Sequence, residues 1–284
     1  MTGTVTVCAD RSPAGPRAVK WATAEARRHA LPLTIVAPDP RRARSVRHSA
    51  FADALAAVRA VVPGVPVLGG RTDEALPAML RRLSARAAAL VVPATLPDLA
   101  TVVADAYCPV VTVPAHNPVP EAVNGPVVLG AAPWTAEGVI ELAFQTASDR
   151  KAPLRAVRVW SEPRIDVGWL RPDRIAERHS AEERARRELE LALSGWTIAH
   201  PDVPVEMTVV QDHPTEFLLR LSHRAQLLVL GRSARGALLA GIAGSPVDTL
   251  LRSAACPVMV VPAEGPPRTT WLPSWDRAKA LTGP

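Results

Sequence analysis

Cysteine is scarce in this chain of 284 residues, where Cys8, Cys108 and Cys256 are the only three. They form no CxxC pair and no even-numbered framework, which argues against a disulfide scaffold and leaves them as small buried apolar residues in a reducing compartment. Aromatic residues are scarce too, at 4% of a chain that is 48% apolar. The core must therefore be assembled from Ala, Val and Leu, a composition suited to parallel strands under Ala-rich helices. No apolar run approaches the ~18 residues of a membrane span. Met1-Thr2-Gly3-Thr4-Val5 lacks the charged and apolar regions of an export signal. A cytoplasmic protein with no membrane contact is the expectation.

Lysine is nearly missing: Lys20, Lys151 and Lys279 are the only three among 33 basic residues. The net charge of +6 is thus an arginine excess, and alongside abundant Ala and Pro it reads as genome bias rather than as a nucleic-acid footprint. Arg41-Arg42-Ala43-Arg44-Ser45-Val46-Arg47, the densest basic cluster, has no interleaved aromatics and reads as an exposed loop. The seven histidines at 29, 48, 116, 179, 200, 213 and 223 show no HxxxH or HxxEH spacing, so no metal site is expected. Ser12 and Ser245 lack a GxSxG context or a nearby base. No catalytic residue is assigned, and an enzyme is the least expected class, with slow ATP hydrolysis left open.

What is present is a repeat. Cys108-Pro109-Val110-Val111-Thr112-Val113-Pro114-Ala115 returns as Cys256-Pro257-Val258-Met259-Val260-Val261-Pro262-Ala263, an offset of 148. Leu83-Ser84-Ala85-Arg86 returns as Leu221-Ser222-His223-Arg224, and Val65-Pro66-Val67 as Val203-Pro204-Val205, both at an offset of 138. Self-similarity of this kind marks duplicated domains. The ten-residue difference falls before the last strand: Pro93 to Cys108 is short, whereas Gly231 to Cys256 is longer and glycine-bearing.

Each half reads as alternating short apolar strands and Ala-rich helices. Continuous apolar runs indicate strands covered on both faces. In the first half, strands are expected at Val5–Ala9, Leu33–Val36, Val65–Leu68, Ala89–Val92 and Pro109–Val113. Helices are expected near Pro16–His29, Phe51–Val61 and Glu74–Ala87. His116 to Gly125 is the linker. The second half repeats the order with strands at Val127–Gly130, Leu154–Trp160, Val205–Val210, Leu227–Leu230 and Val258–Val261, and helices near Ala136–Ser148, Thr215–Ala225 and Pro246. It also carries a charged helix expected to begin near Ser180, with Ser180 and Glu183 as a capping box and Glu182–Arg186 and Glu183–Arg187 as helix pairs on a solvated face. The domains so defined are 1–116 and 126–264. A Trp- and Pro-bearing tail, 265–284, has no counterpart in the first half.

The segment Gly231-Arg232-Ser233-Ala234-Arg235-Gly236-Ala237-Leu238-Leu239-Ala240-Gly241-Ile242-Ala243-Gly244-Ser245-Pro246-Val247 follows the fourth strand of the second half. Ser245 suits an N-cap and Pro246 the first helical position. Glycines beside a helix N-terminus, at the carboxyl end of a parallel strand, suit a phosphate. The same spacing also suits a loop that only turns the chain. It is neither a Walker loop nor a dinucleotide fingerprint.

This arrangement resembles the universal stress protein family, whose ATP-binding members carry Gly, two residues, Gly, nine residues, then Gly and Ser or Thr at this place. Gly231, Gly244 and Ser245 fit the pattern, while Ala234 stands at the second glycine. The ending Ala255-Cys256-Pro257-Val258-Met259-Val260-Val261 and the opening Asp10-Arg11-Ser12-Pro13 resemble the family's last strand and first turn. The resemblance covers about 1–264 and implies a tandem, two-domain, stress-response regulatory protein. It implies two Rossmann-like α/β domains of the adenine nucleotide alpha hydrolase-like kind, each a five-stranded parallel sheet with helices on both faces. For the second half it implies ATP or ADP, with Mg, held by Val159, Leu230, Gly231, Arg232, Ala234, Gly244, Ser245, Pro246 and Val247. Family members dimerise through the last strand, so the linked halves are expected to pair Pro109–Val113 with Pro257–Val261 as an internal pseudo-dimer, with a homodimer as a further level. The family's acidic residue after strand one is Asp10 in the first half, which has Pro93-Ala94-Thr95-Leu96-Pro97 in place of the loop. The second half keeps the loop but has Ala132 at the acidic position. The alternative reading is a member that binds no nucleotide and acts through protein partners.

Overall fold

The computed structural model describes residues 3–38, 50–61, 66–72, 75–116, 124–160, 173–232 and 246–262. They fall into two compact units, one within 1–116 and one within 117–263. In the first unit the order is β1 (Thr4–Cys8), α1 (Gly15–Arg28), β2 (Leu33–Pro38), α2 (Ala50–Val61), β3 (Val67–Thr72), α3 (Leu76–Ser84), β4 (Ala87–Pro93), α4 (Leu99–Asp105) and β5 (Val110–Val113). Its strands lie side by side as β3-β2-β1-β4-β5, all parallel. The second unit runs β6 (Val127–Ala131), α5 (Glu137–Arg150), β7 (Leu154–Trp160), α6 (Asp173–Ala199), β8 (Val205–Gln211), α7 (Pro214–Ser222), β9 (Leu227–Gly231), α8 (Pro246–Ser253) and β10 (Val258–Val261). Its strands lie as β8-β7-β6-β9-β10, again parallel.

Each unit is thus the expected five-stranded parallel α/β sheet. Right-handed crossovers place α1 and α2 on one face and α3 and α4 on the other. The helices pack accordingly, α1 on α2 and α3 on α4, then α5 on α6 and α7 on α8. Burial on both faces explains the apolar runs: all seven residues of β4 and all four of β5 and β10 are buried. In α1, Ala18, Ala22 and Ala26 form a buried stripe at helical spacing. In α6, Ala185, Leu189 and Leu193 do the same, while Arg186–Glu182 and Arg187–Glu183 pair at 3.7 and 3.5 Å on its exposed side.

Sequence and structure part at several elements. Ser180 caps nothing: α6 begins at Asp173 and Ser180 lies in its interior, because no Gly or Pro interrupts residues 173–180. Ala87 belongs to β4 rather than to the helix before it. Three consecutive alanines favour a helix locally, but burial between two helical layers overrides that preference. The helix α4 was not foreseen; Asp98, with φ 55°, starts it from the left-handed region without a side-chain cap. The linker after His116 and the C-terminal tail lie largely or wholly outside the described residues.

The repeat at Ser84 and Ser222 has a structural explanation. Ser84 Oγ donates to Arg81 O at 2.6 Å and accepts the Tyr107 amide at 3.0 Å. Ser222 Oγ donates to Leu219 O at 2.6 Å and accepts the Ala255 amide at 2.9 Å. Each serine ties the end of a helix to the loop that enters the unit's last strand. Removing the acceptor would strand a buried N–H at about 1–3 kcal/mol. Ser222→Ala is therefore expected to lower unfolding free energy by about that amount in urea titration, and an unchanged midpoint would contradict the clasp.

A candidate ligand crevice at the strand carboxyl ends

In each unit the chain lays strands outward from β1 or β6, then crosses back to the other side. The reversal falls between β1 and β4 in the first unit and between β6 and β9 in the second. Loops leaving neighbouring strands at such a point diverge to opposite faces and open a crevice, where doubly wound sheets bind ligands. The two crevices are built differently.

In the first unit, Asp10 Oδ1 accepts the Ser12 amide at 3.1 Å and the Ser12 hydroxyl at 2.6 Å. Ser12 Oγ accepts the Gly15 amide at 3.2 Å and the hydroxyl of Thr95, just past β4, at 2.8 Å. A polar chain Asp10–Ser12–Thr95 therefore spans from the end of β1 to the end of β4. The turn closes so tightly that a Cβ on Gly15 would lie 2.2 Å from the Asp10 carbonyl oxygen and 2.5 Å from its Oδ1. Gly15 is needed because Asp10 is folded back onto it, a coupling the sequence reading missed.

In the second unit, both partners of that coupling are replaced. Ala132 stands at the Asp10 position and Glu137, the first residue of α5, at the Gly15 position. Here Thr135 N donates to Ala132 O at 3.0 Å, and the Ala132 amide donates to Thr135 Oγ1 at 2.8 Å. The result is a β-turn over Ala132-Pro133-Trp134-Thr135, with Pro133 at the position where its fixed φ is favoured. The turn is closed by its own atoms, and no carboxylate projects from it.

The site residues drawn from the sequence are placed as follows. Val159 is the penultimate residue of β7, and Leu230 and Gly231 end β9. Arg232 follows directly, its amide donating to Val261 O at 2.7 Å. Pro246 and Val247 open α8. Ala234, Gly244 and Ser245 lie outside the described residues. Register pairs Gly130 with both Val157 and Leu230, so Val159 and Leu230 lie on one face of the sheet. Leu230 occupies the notch at Gly130, where an added Cβ would meet its Cδ2 at 2.6 Å. Gly130 is a further residue the sequence reading missed. At Gly231 an added Cβ would meet Val139 Cγ2 at 3.2 Å, so this glycine serves close packing of α5 as well as the loop. The edge thus carries the N-terminus of α8, whose polarity suits an anion, while the Ala132 side chain supplies no acceptor for a base amine. Among the described residues no group of three His, Cys, Asp or Glu converges as a metal site.

Cysteine takes no part in this edge. Cys8, Cys108 and Cys256 are all buried. Burial pushes the Cys8 thiol up to about 12, with the Asp10 charge adding to it, and the Cys256 thiol is likewise pushed up to about 12 by burial.

The fold and crevice define a duplicated, doubly wound α/β protein. Residues 127–262, most of the second unit, match the model of the universal stress protein family. Universal stress protein Rv2005c of Mycobacterium tuberculosis is 33% identical over 164 residues, covering 55% of this chain and 52% of that protein. The chain therefore spans about half the length of the curated relatives it matches. Two solved structures share the fold over nearly the whole chain. The functionally unknown protein PA1789 of Pseudomonas aeruginosa superposes with a TM-score of 0.60 and 16% identity, covering 92% of both chains. A universal stress protein of Archaeoglobus fulgidus gives 0.58 and 13%, covering 93% of this chain and 100% of that one. No helix among the described residues is long and apolar enough to cross a membrane.

Two outcomes follow from this geometry. Gly15→Ala is expected to destabilise the protein by about 1–3 kcal/mol through overpacking against backbone, whereas Glu137→Ala is expected to change urea stability far less; equal effects would contradict the Asp10–Gly15 coupling. A thiolate reagent at pH 8 is expected to leave Cys8 and Cys256 unmodified in the native protein and to label them after unfolding. Because their native thiols stay protonated above the unfolded value of 9.0, stability contributed by their burial is full below pH 9 and is lost as pH rises toward 12. Rapid native labelling would contradict this.

Proposed function

We propose that the chain is a stress-response regulatory protein whose second unit binds an adenine nucleotide, ATP or ADP with Mg, in the crevice between β6 and β9. The observation that carries this reading is the convergence at one sheet edge of Gly231, Arg232 and the start of α8, within the residues that match the universal stress protein family. A helix N-terminus and close backbone approach are what polyphosphates favour. The Arg232 side chain supplies positive charge at the same edge. Binding is the assigned task; the reading contains no general base or nucleophile, so turnover is not part of it.

The first unit is read as a non-binding partner. Its Asp10 is occupied by Ser12 and its loop is replaced by the short connection through Thr95 to α4. A second reading, regulation through protein partners without nucleotide, is favoured by one observation: Ala132 offers no carboxylate to a base.

Calorimetric titration of the chain at about 100 μM with Mg-ATP separates the two, since that concentration registers dissociation constants up to the weak end of physiological nucleotide binding. Saturable heat is expected, and its absence would overturn the nucleotide reading in favour of the second. If the missing acidic group is what limits affinity, the paired change Ala132→Asp with Glu137→Gly should tighten binding by about 5- to 150-fold, the equivalent of one recovered hydrogen bond to a buried polar group. Weaker or unchanged binding would contradict that role for position 132.

A further inference from the structure

We infer that Trp134 is the residue that recognises the base, stacking its indole on the purine ring in place of the polar recognition that an acidic residue at position 132 would provide. This rests on the nucleotide reading above. Six large apolar side chains are exposed among the described residues: Leu68, Tyr107, Trp134, Leu191, Ile198 and Met207. Leu68 and Met207 lie along the outer strands β3 and β8, and Leu191 and Ile198 on α6. Tyr107, before β5, is held by Arg81, whose guanidinium lies over its ring. Trp134 alone of the six stands just past the carboxyl end of a central strand, at the crevice itself.

Its setting is that of a prepared surface. Trp134 is 52% exposed, in a chain that has few aromatic residues to spare. It makes no hydrogen bond or ring contact with any described residue. The turn that carries it is fixed on both sides, by Thr135 N to Ala132 O and by Ala132 N to Thr135 Oγ1, and Pro133 stiffens its first corner. A rigid backbone under a large flat side chain binds with little ordering penalty.

Position completes the argument. Gly130 pairs with Leu230, so the turn at 132–135 and the Gly231-Arg232 pair leave adjacent strands at the same level of the sheet. A ligand with a flat apolar ring at one end and an anionic group at the other matches this pairing of indole and cation. In the first unit the equivalent place holds Ser12, hydrogen-bonded to Asp10 and Thr95, and no aromatic.

The test measures Mg-ATP affinity and tryptophan emission for the full chain, Trp134→Ala and Trp134→Phe, with thermal midpoints as the check on folding. Base–aromatic stacking predicts that Trp134→Ala weakens binding by about 5- to 150-fold with an unchanged midpoint. Trp134→Phe should retain most of the affinity but lose the emission change that ATP causes in the unsubstituted chain. Undiminished affinity in Trp134→Ala, an emission change that persists in Trp134→Phe, or loss of affinity matched by a lowered midpoint would each overturn the stacking role while leaving nucleotide binding intact. Absence of ATP binding in the unsubstituted chain would overturn both.

Discussion

Everything at the candidate site depends on the handedness of the connections between parallel strands. A crossover that must be right-handed puts its helix on one face when the chain moves outward and on the other when it doubles back. The chain doubles back once in each unit, between β3 and β4 and between β8 and β9. That reversal makes β1 neighbour β4 and β6 neighbour β9, and it separates the loops that leave them. The crevice is thus a consequence of topology before any side chain is considered. Side chains decide only whether it stays open.

In the first unit they bridge it. Asp10 is bound by its own turn, Ser12 relays that contact to Thr95, and a short connection leads into α4. In the second unit the turn satisfies itself through Thr135 and presents Trp134 outward. The contrast is a coupled one, since Asp10 demands a glycine at position 15 and Ala132 makes no such demand of Glu137. The two turns thus differ in their hydrogen bonds and in the side chains they hold at the sheet edge.

Much of the fold was legible because burial on two faces leaves a strong trace. Runs such as Val127-Val128-Leu129 and Leu227-Leu228-Val229-Leu230 have no amphipathic alternation, and the structure places them as central strands. The duplicated Leu-Ser pair was legible as a repeat, though only the hydrogen bonds to Tyr107 and Ala255 explain why serine is needed there. What failed to show in the sequence depended on distant atoms. Ala87 looks helical until its helical cover on both faces is known, and Ser180 looks like a cap until the helix is seen to start at Asp173. Gly15, Gly130 and Trp134 escaped notice for the same reason: their significance lies in Asp10, Leu230 and an open sheet edge, none of which is a sequence neighbour pattern. Of the site, the strand-end residues Val159, Leu230 and Gly231 were placed by periodicity and the resemblance together, whereas the turn opposite them was not read as a recognition surface.

The central claim is that the second crevice binds nucleotide and the first does not. Amide chemical-shift mapping of the full chain during titration with Mg-ATP tests it most directly. The account predicts saturable shifts at Ala132, Trp134, Gly231, Arg232 and Val247, with Asp10, Ser12 and Thr95 unmoved. Shifts confined to the Asp10–Thr95 edge, or none at either edge, would contradict it.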